Sequence, residues 1–337
     1  MFRDVDPDVR HAAEAAHGAD APPHLHVRAT SRERRLAEAG VLVTVAIWSA
    51  NFVVVKAAIG ALGPFTFTSL RYVVAALTLL AILRWRTGSL RWPAGYGRQL
   101  FVMGALGFGA YQLLWSLGLT QITAGDSALL IAASPVLTAL LAGAVGMDRL
   151  TTPKLAGALI AFTGVGIVIA GGHELALGAS LLGDALTLGA AALWAVYTTA
   201  GARIMRTVDP LQATVWTVVA GAIVLAPFGV WEATRSSPAT FSPEAVVAIL
   251  YAGALAAGIA NVFVFNAIRL VGPTRVTSTQ FLVPAGAVVL GAVFLDEPVG
   301  LAQVAGGAVI VLGVWLTRRA SVVPPRMRAR LAPGATR

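Results

Sequence analysis

The stretch WSLGLTQITAGDSALLIAASPVLTALLAGAVGMDRLTTPKLAGALIAFTG, residues 115–164, returns without a gap as VFNAIRLVGPTRVTSTQFLVPAGAVVLGAVFLDEPVGLAQVAGGAVIVLG, residues 264–313, at a constant offset of 149. The landmarks keep step: Pro135 falls on Pro284, Asp148 on Glu297, Gly157 on Gly306 and Gly164 on Gly313, and just ahead of the stretch Gln112 falls on Asn261. Earlier in each half the offset is 146, carrying Glu38 to Asp184, Trp48 to Trp194, Asn51 to Tyr197 and Pro64 to Pro210. The chain is one unit written twice, and an internal repeat of this length fixes the architecture before any single element is read.

Composition says where the unit resides. Of 337 residues, 57% are hydrophobic and only 12% charged, against about 25% charged in soluble domains. This is a polytopic membrane protein. The net charge of +9 belongs to short loops and tails beside apolar spans, where basic residues set orientation, so nucleic acid is not an expected partner. With no cysteine, a disulfide framework, a thiol nucleophile and a Cys-based metal site are all excluded.

Ten apolar segments of spanning length are predicted near 37–58, 65–83, 99–119, 125–146, 154–171, 181–202, 210–231, 244–268, 275–295 and 301–317. Turn pairs separate them, among them Gly63-Pro64, Asp209-Pro210 and Glu297-Pro298. Continuous helix-length runs rule out a membrane β-barrel. The domain reading is a disordered cytoplasmic tail over 1–36, a first five-helix repeat over 37–171, a second over 181–317 and a basic cytoplasmic tail over 318–337. Arg and Lys crowd one set of loops, whereas the other set carries only Arg235, which predicts both termini inside. Because five is odd, the second repeat must then enter the bilayer from the opposite side. The fold class is an all-α membrane protein of ten helices in two inverted five-helix repeats, an arrangement that places a transporter's substrate site near the midplane between the repeats.

Several short features resemble the drug/metabolite transporter superfamily, in particular its ten-helix EamA-type permeases. They are Trp48 followed by Lys56 and Trp194 followed by Arg203, Leu70-Arg71-Tyr72, the prolines Pro135 and Pro284, and Leu295-Asp296-Glu297-Pro298 followed by Gly306 and Gly313. The resemblance covers nearly everything after residue 36; Asp148 departs from it, since the family more often has Glu there. It implies a carrier of small metabolites in the bacterial cytoplasmic membrane, export more than uptake, without a cofactor.

Polar residues inside spans are costly in lipid and point to sites, partners or exits. Gln112 and Asn261 are repeat-equivalent and lie inside their spans; an amide pair can hold a zwitterion, or it can bond helices together. Trp48, Asn51 and Val55 share a helical face, as do Trp194, Tyr197 and Gly201, and Tyr111, Gln112 and Trp115 add a third. Aromatic and amide linings of this kind suit amphipathic substrates, although packing explains them equally. Lys56 and Arg71, the latter about 9 Å from its helix end, either snorkel or form a cationic outer vestibule. Gln280 precedes Pro284 by four residues, and Pro284 and Pro135 are expected to kink their helices. Asp126, Asp184 and Glu297 read as helix-start caps. Gly157 with Gly164, and Gly306 with Gly313, are packing seams, either within the chain or between two copies of it in a homodimer. The tail histidines His11, His17, His24 and His26 match no compact metal site, and no metal is expected.

The leading expectation is therefore a secondary carrier, with the lipid bilayer and a small polar or amphipathic substrate as partners. Amino acids come ahead of drugs, sugars or nucleotides. A non-transporting scaffold is the alternative of another class. A lipid-modifying enzyme would need a convergent acid–base or nucleophile set, and the spans contain none.

Overall fold

The structure is a computed structural model describing residues 30–147, 150–171, 179–204, 207–235, 241–271, 276 and 279–319. The tail histidines, Asp148 and the basic C-terminal tail lie outside the described residues. Among the described residues ten helical passages follow one another: α1 Ser31–Leu62, α2 Pro64–Thr87, α3 Gly97–Gln121, α4 Ala124–Ala144, α5 Thr152–Gly171, α6 Ala179–Ile204, α7 Pro210–Ala233, α8 running as Pro243–Leu250, Tyr251–Ile259 and Ala260–Val271, α9 Leu282–Leu295 and α10 Leu301–Arg319. The first eight are long and apolar enough to cross a bilayer, and α9 and α10 are shorter apolar helices. No strand occurs among the described residues.

The first helix starts earlier than its apolar run. Thr30 Oγ1 accepts from Glu33 N at 3.2 Å, and Glu33 Oε2 accepts from Thr30 N at 2.7 Å, a reciprocal capping box that begins α1 at Ser31. Residues 31–36, expected in the disordered tail, are helical for that reason. The signature Thr30-x-x-Glu33 was there to be read.

Packing repeats the inversion. Helix α1 lies against α8 and α9, and its counterpart α6 lies against α3 and α4; α2 pairs with its own counterpart α7, and α5 with α10. The α5–α10 seam is built on glycine. A Cβ on Gly164 would stand 2.6 Å from Ile310 N, and one on Gly306 2.8 Å from Gly164 O. Gly157 and Gly313 press on the partner backbone in the same way. Of the two uses open to these glycines, this one is intramolecular.

Breaks also recur in register. Helix α4 is interrupted at Ala132 and Ala133, just ahead of Ser134-Pro135, and a turn at Gln280 and Phe281 precedes α9 with its Pro284. A proline cannot donate to the turn before it, so each helix restarts around its proline. Helices α3 and α8 each contain a π segment, Ala105–Ala110 and Tyr251–Ile259. Each ends two residues before the paired amide, Gln112 or Asn261. The shared glycines Gly104/Gly253 and Gly109/Gly258 stand at the same offset of 149 and mark both segments in the sequence. π segments widen the helix and concentrate at functional positions.

Two carboxylates cross between the halves, Glu232 near the end of α7 and Glu297 just beyond α9. Glu232, from α7, accepts at Oε2 from Phe65 N at 2.9 Å and Thr66 N at 2.7 Å at the start of α2. Glu297, beyond α9, accepts from Ala124 N at 2.7 Å and Gly125 N at 3.3 Å at the start of α4. Glu297 is thus a cap, but of α4 rather than of the α10 it precedes. Asp126 does not cap its own helix: Thr123 Oγ1 takes its N–H at 2.9 Å, while its carboxylate accepts from Gln303 Nε2 at 2.9 Å. Gly63 carries φ +81° in the tight α1–α2 turn, and a Cβ there would meet Glu232 Oε2 at 2.5 Å. Gly63→Ala is expected to lose both the turn and the cap, costing about 1–3 kcal/mol. Thermal unfolding of the purified variant in detergent would register this as a lower midpoint.

Candidate functional site

One buried polar network stands among the aromatics of α2 and α3. Arg71 is 2% exposed and Gln112 5%. The Arg71 guanidinium donates through Nη2 to Gln112 Oε1, and Gln112 Nε2 donates to the Tyr72 hydroxyl at 2.7 Å. The cation lies 5.1 Å from the centre of the Tyr72 ring, 5.3 Å from Trp115 and 5.9 Å from Phe67. Such faces stabilise a guanidinium that has left water, by about 2 kcal/mol at best where desolvated. Trp115 is fixed in turn by its Nε1 donating to Ser127 Oγ at 3.0 Å and by an edge-on contact with Phe52 at 5.6 Å.

A second aromatic group continues from the first through Tyr72. Phe108, in the α3 π segment, lies 6.0 Å from Tyr72, 5.1 Å from Tyr197 and 5.9 Å from Trp194, and Trp194 lies 5.4 Å from Tyr111. The missing Cβ of Gly107 leaves the room that the Tyr197 ring occupies. Six of the expected residues therefore belong to one assembly, Arg71, Gln112, Trp115, Tyr111, Trp194 and Tyr197, and Asn51 lies one turn before Val55, which packs in the same cluster as Trp115.

The others go elsewhere. Trp48 donates from Nε1 to Ala256 O at 3.0 Å, in the α8 π segment, and Tyr251 returns a bond to Ile47 O at 2.8 Å. Trp48 and Trp194 thus play matching parts, each packing on the π segment of the opposite repeat. Asn261 does not mirror Gln112: its Nδ2 donates to Ala257 O, one turn back in its own helix, at 2.9 Å. Gln280 sits half-buried at the turn before α9. The vestibule expected of Arg71 and Lys56 is not how either is placed. Arg71 is buried, and Lys56 Nζ donates to Leu119 O at 2.6 Å and Ile122 O at 2.7 Å, closing the carbonyl end of α3.

Tyr72 entered the sequence reading only within the Leu70-Arg71-Tyr72 stretch of the family resemblance, not as a site residue, and Phe108 and Glu232 did not enter it. Tyr72 follows Arg71 directly, so a helix-face argument separates the two, and only the approach of α3 reunites them. Trp48→Phe should remove the Ala256 bond alone, lowering stability by about 1 kcal/mol. Chemical unfolding with an unchanged m-value would check it.

The EamA-like transporter family matches at residues 35–170 and again at 181–319. The chain belongs to the EamA-like transporter family. An uncharacterized transporter of Archaeoglobus fulgidus is 29% identical over 276 residues, covering 82% of this chain and 94% of that protein. A protein of Streptantibioticus cattleyicolor named as a probable terminal-alkyne amino-acid exporter is 30% identical over 296 residues, covering 87% of this chain and 96% of its own length. A solved crystal structure superposes with a TM-score of 0.60 at 20% identity, over 84% of this chain and 98% of that one, which supports the fold. The protein is a multi-pass membrane protein of a transporter family, and the inverted-repeat EamA fold is the frame on which the Arg71–Gln112 network is held.

Proposed function

We propose that this EamA-family chain is a secondary carrier of a bacterial cytoplasmic membrane, with both termini cytoplasmic, that exports small amphipathic metabolites, α-amino acids foremost, by alternating access. The observation that carries the reading is the buried Arg71–Gln112–Tyr72 network ringed by aromatics two residues beyond a π segment. A desolvated cation inside a span is expensive and is retained where it meets a ligand or a partner charge. The name of the Streptantibioticus cattleyicolor relative supports amino acids as the first class to try. The two π segments provide matching flexible points in the two repeats, through which each could move against the other. No covalent chemistry is required of the protein, which in this reading is not an enzyme.

The test is counterflow in proteoliposomes of the purified protein with labelled amino acids, sugars and organic cations, with and without a pH gradient. Saturable amino-acid flux is expected. Gln112→Ala should reduce it by about 10-fold or more, since it strips Arg71 of its Gln112 acceptor, and Asn261→Ala should reduce it less. Folded protein that carries no member of the panel would sink the proposal, and sugar or cation flux alone would transfer it to another substrate class.

A further inference from the structure

Leaving threonine hydroxyls aside, the buried side-chain polar atoms without a hydrogen-bond partner among the described residues are two: Arg71 Nε, a donor, and Asn51 Oδ1, an acceptor. A buried polar atom left unpaired costs about 1–3 kcal/mol, so a membrane protein that keeps one of each sign in one neighbourhood calls for an explanation. Both flank one core cluster: Val55, one turn beyond Asn51 on the same face of α1, packs with Phe67 and Trp115, and these two rings face the Arg71 guanidinium. Among the described residues no carboxylate is paired with Arg71, and its side-chain acceptor is the neutral oxygen of Gln112.

We propose that Arg71 receives the α-carboxylate of the transported molecule through Nε and the Nη group now held by Gln112, and that Asn51 Oδ1 receives its α-ammonium. The proposal rests on the carrier reading above and specifies its substrate class as free α-amino acids with both ends unblocked. A carboxylate fits the guanidinium edge as two parallel charge-assisted bonds, which a neutral amide oxygen only half reproduces. Gln112 is then released to Tyr72 and the incoming group, so the amide is the reversible occupant of the carboxylate's place. An ammonium needs acceptors and brings three donors, and Asn51 offers an oxygen that the fold has not used. The rest of the surroundings, Phe52, Phe67, Trp115 and Tyr111, suits an apolar or aromatic side chain, and Phe52, Tyr111 and Trp194 are only partly buried, giving the network an accessible edge.

The experiment is counterflow with L-leucine and L-phenylalanine, each beside its amide, which lacks the carboxylate, and its N-acetyl derivative, which lacks the ammonium. Wild-type protein should carry the free amino acids about 100-fold better than either blocked form, the scale of losing one charge-assisted pair. Gln112→Glu places a fixed carboxylate against Arg71 and should keep the fold while abolishing carriage of the free acids. Asn51→Leu should bring the free and N-acetyl forms to equal rates. Equal carriage of acid and amide by wild type would overturn the Arg71 assignment and leave the carrier intact. Equal carriage of the free and N-acetyl forms would overturn Asn51. No flux of any of the six compounds by folded protein would overturn this proposal, and flux of a sugar or organic cation in the same preparation would show that the carrier reading survives it. Should Gln112→Glu not fold, the wild-type comparison of acid with amide decides.

Discussion

Leucine at Gly164 should yield no folded protein, while leucine at Gly166, two residues away on the same helix, should be tolerated. At Gly164 the first added carbon already stands 2.6 Å from Ile310 N and 2.7 Å from Gly306 O, both of them backbone atoms that cannot swing aside. The helices α5 and α10 would have to separate, and the close seam through Gly157, Gly306 and Gly313 would open along its length. Within a bilayer such contact is a main source of helix association, because lipid tails match apolar side chains as partners. Overpacking in a compliant core costs about 1–3 kcal/mol; here several close backbone contacts fail together, so the loss is expected to exceed that. Gly166 is exposed, with nothing within 4 Å of its would-be Cβ, and replacing it removes a residue about 1 kcal/mol poorer than Ala in a helix. Size-exclusion profiles of the two variants purified side by side would decide. A normal profile for Gly164→Leu would mean the seam is not what joins the helices.

The second large effect is expected at the crossing carboxylates. Glu232→Ala leaves Phe65 N and Thr66 N without their acceptor at the start of α2, a site where the helix dipole adds to the value of a negative group. Unsatisfied amides cost about 1–3 kcal/mol each, so the variant should lose about 2–5 kcal/mol and unfold markedly earlier in detergent. Glu232→Gln should recover part of this, since an amide oxygen still accepts, without the charge. Glu297→Ala should behave in the same way through Ala124 and Gly125. If both alanine variants unfold at the wild-type midpoint, water replaces the carboxylates at no cost and they are not structural.

Much of this architecture was legible from the repeat between Trp115 and Gly164, because a gapless offset pairs the last three spans of each half and the offset of 146 pairs the first two. The glycine seam was legible as close packing, but whether it lay within the chain or between copies depended on which helix met α5, and periodicity along one helix carries no such information. Gln112 stood out as an amide in mid-span. Its bond to Arg71 did not, since Arg71 is 41 residues away on another helix, and depth along a helix says nothing about the direction a side chain faces. The same reasoning treated Gln112 and Asn261 as a symmetric pair. Their neighbours are not symmetric, because Arg71 and Tyr72 correspond to Thr217 and Val218 under the earlier offset of 146. The start of α1 was obscured by composition: a charged, aperiodic tail hid a capping box in which the Thr30 and Glu33 side chains each accept from the other's backbone N–H.

The crossing carboxylates also set a timetable for the making of the protein. Glu232 lies 167 residues after Phe65, and Glu297 lies 173 after Ala124. At about 5–20 residues per second of synthesis, roughly 10–30 s pass between the emergence of each helix start and the arrival of its acceptor. For that interval the first half sits in the bilayer with two ends unfinished. A ribosome that stops after the first half therefore leaves a fragment whose exposed ends mark it as incomplete, and two half-length chains made in one cell could finish each other.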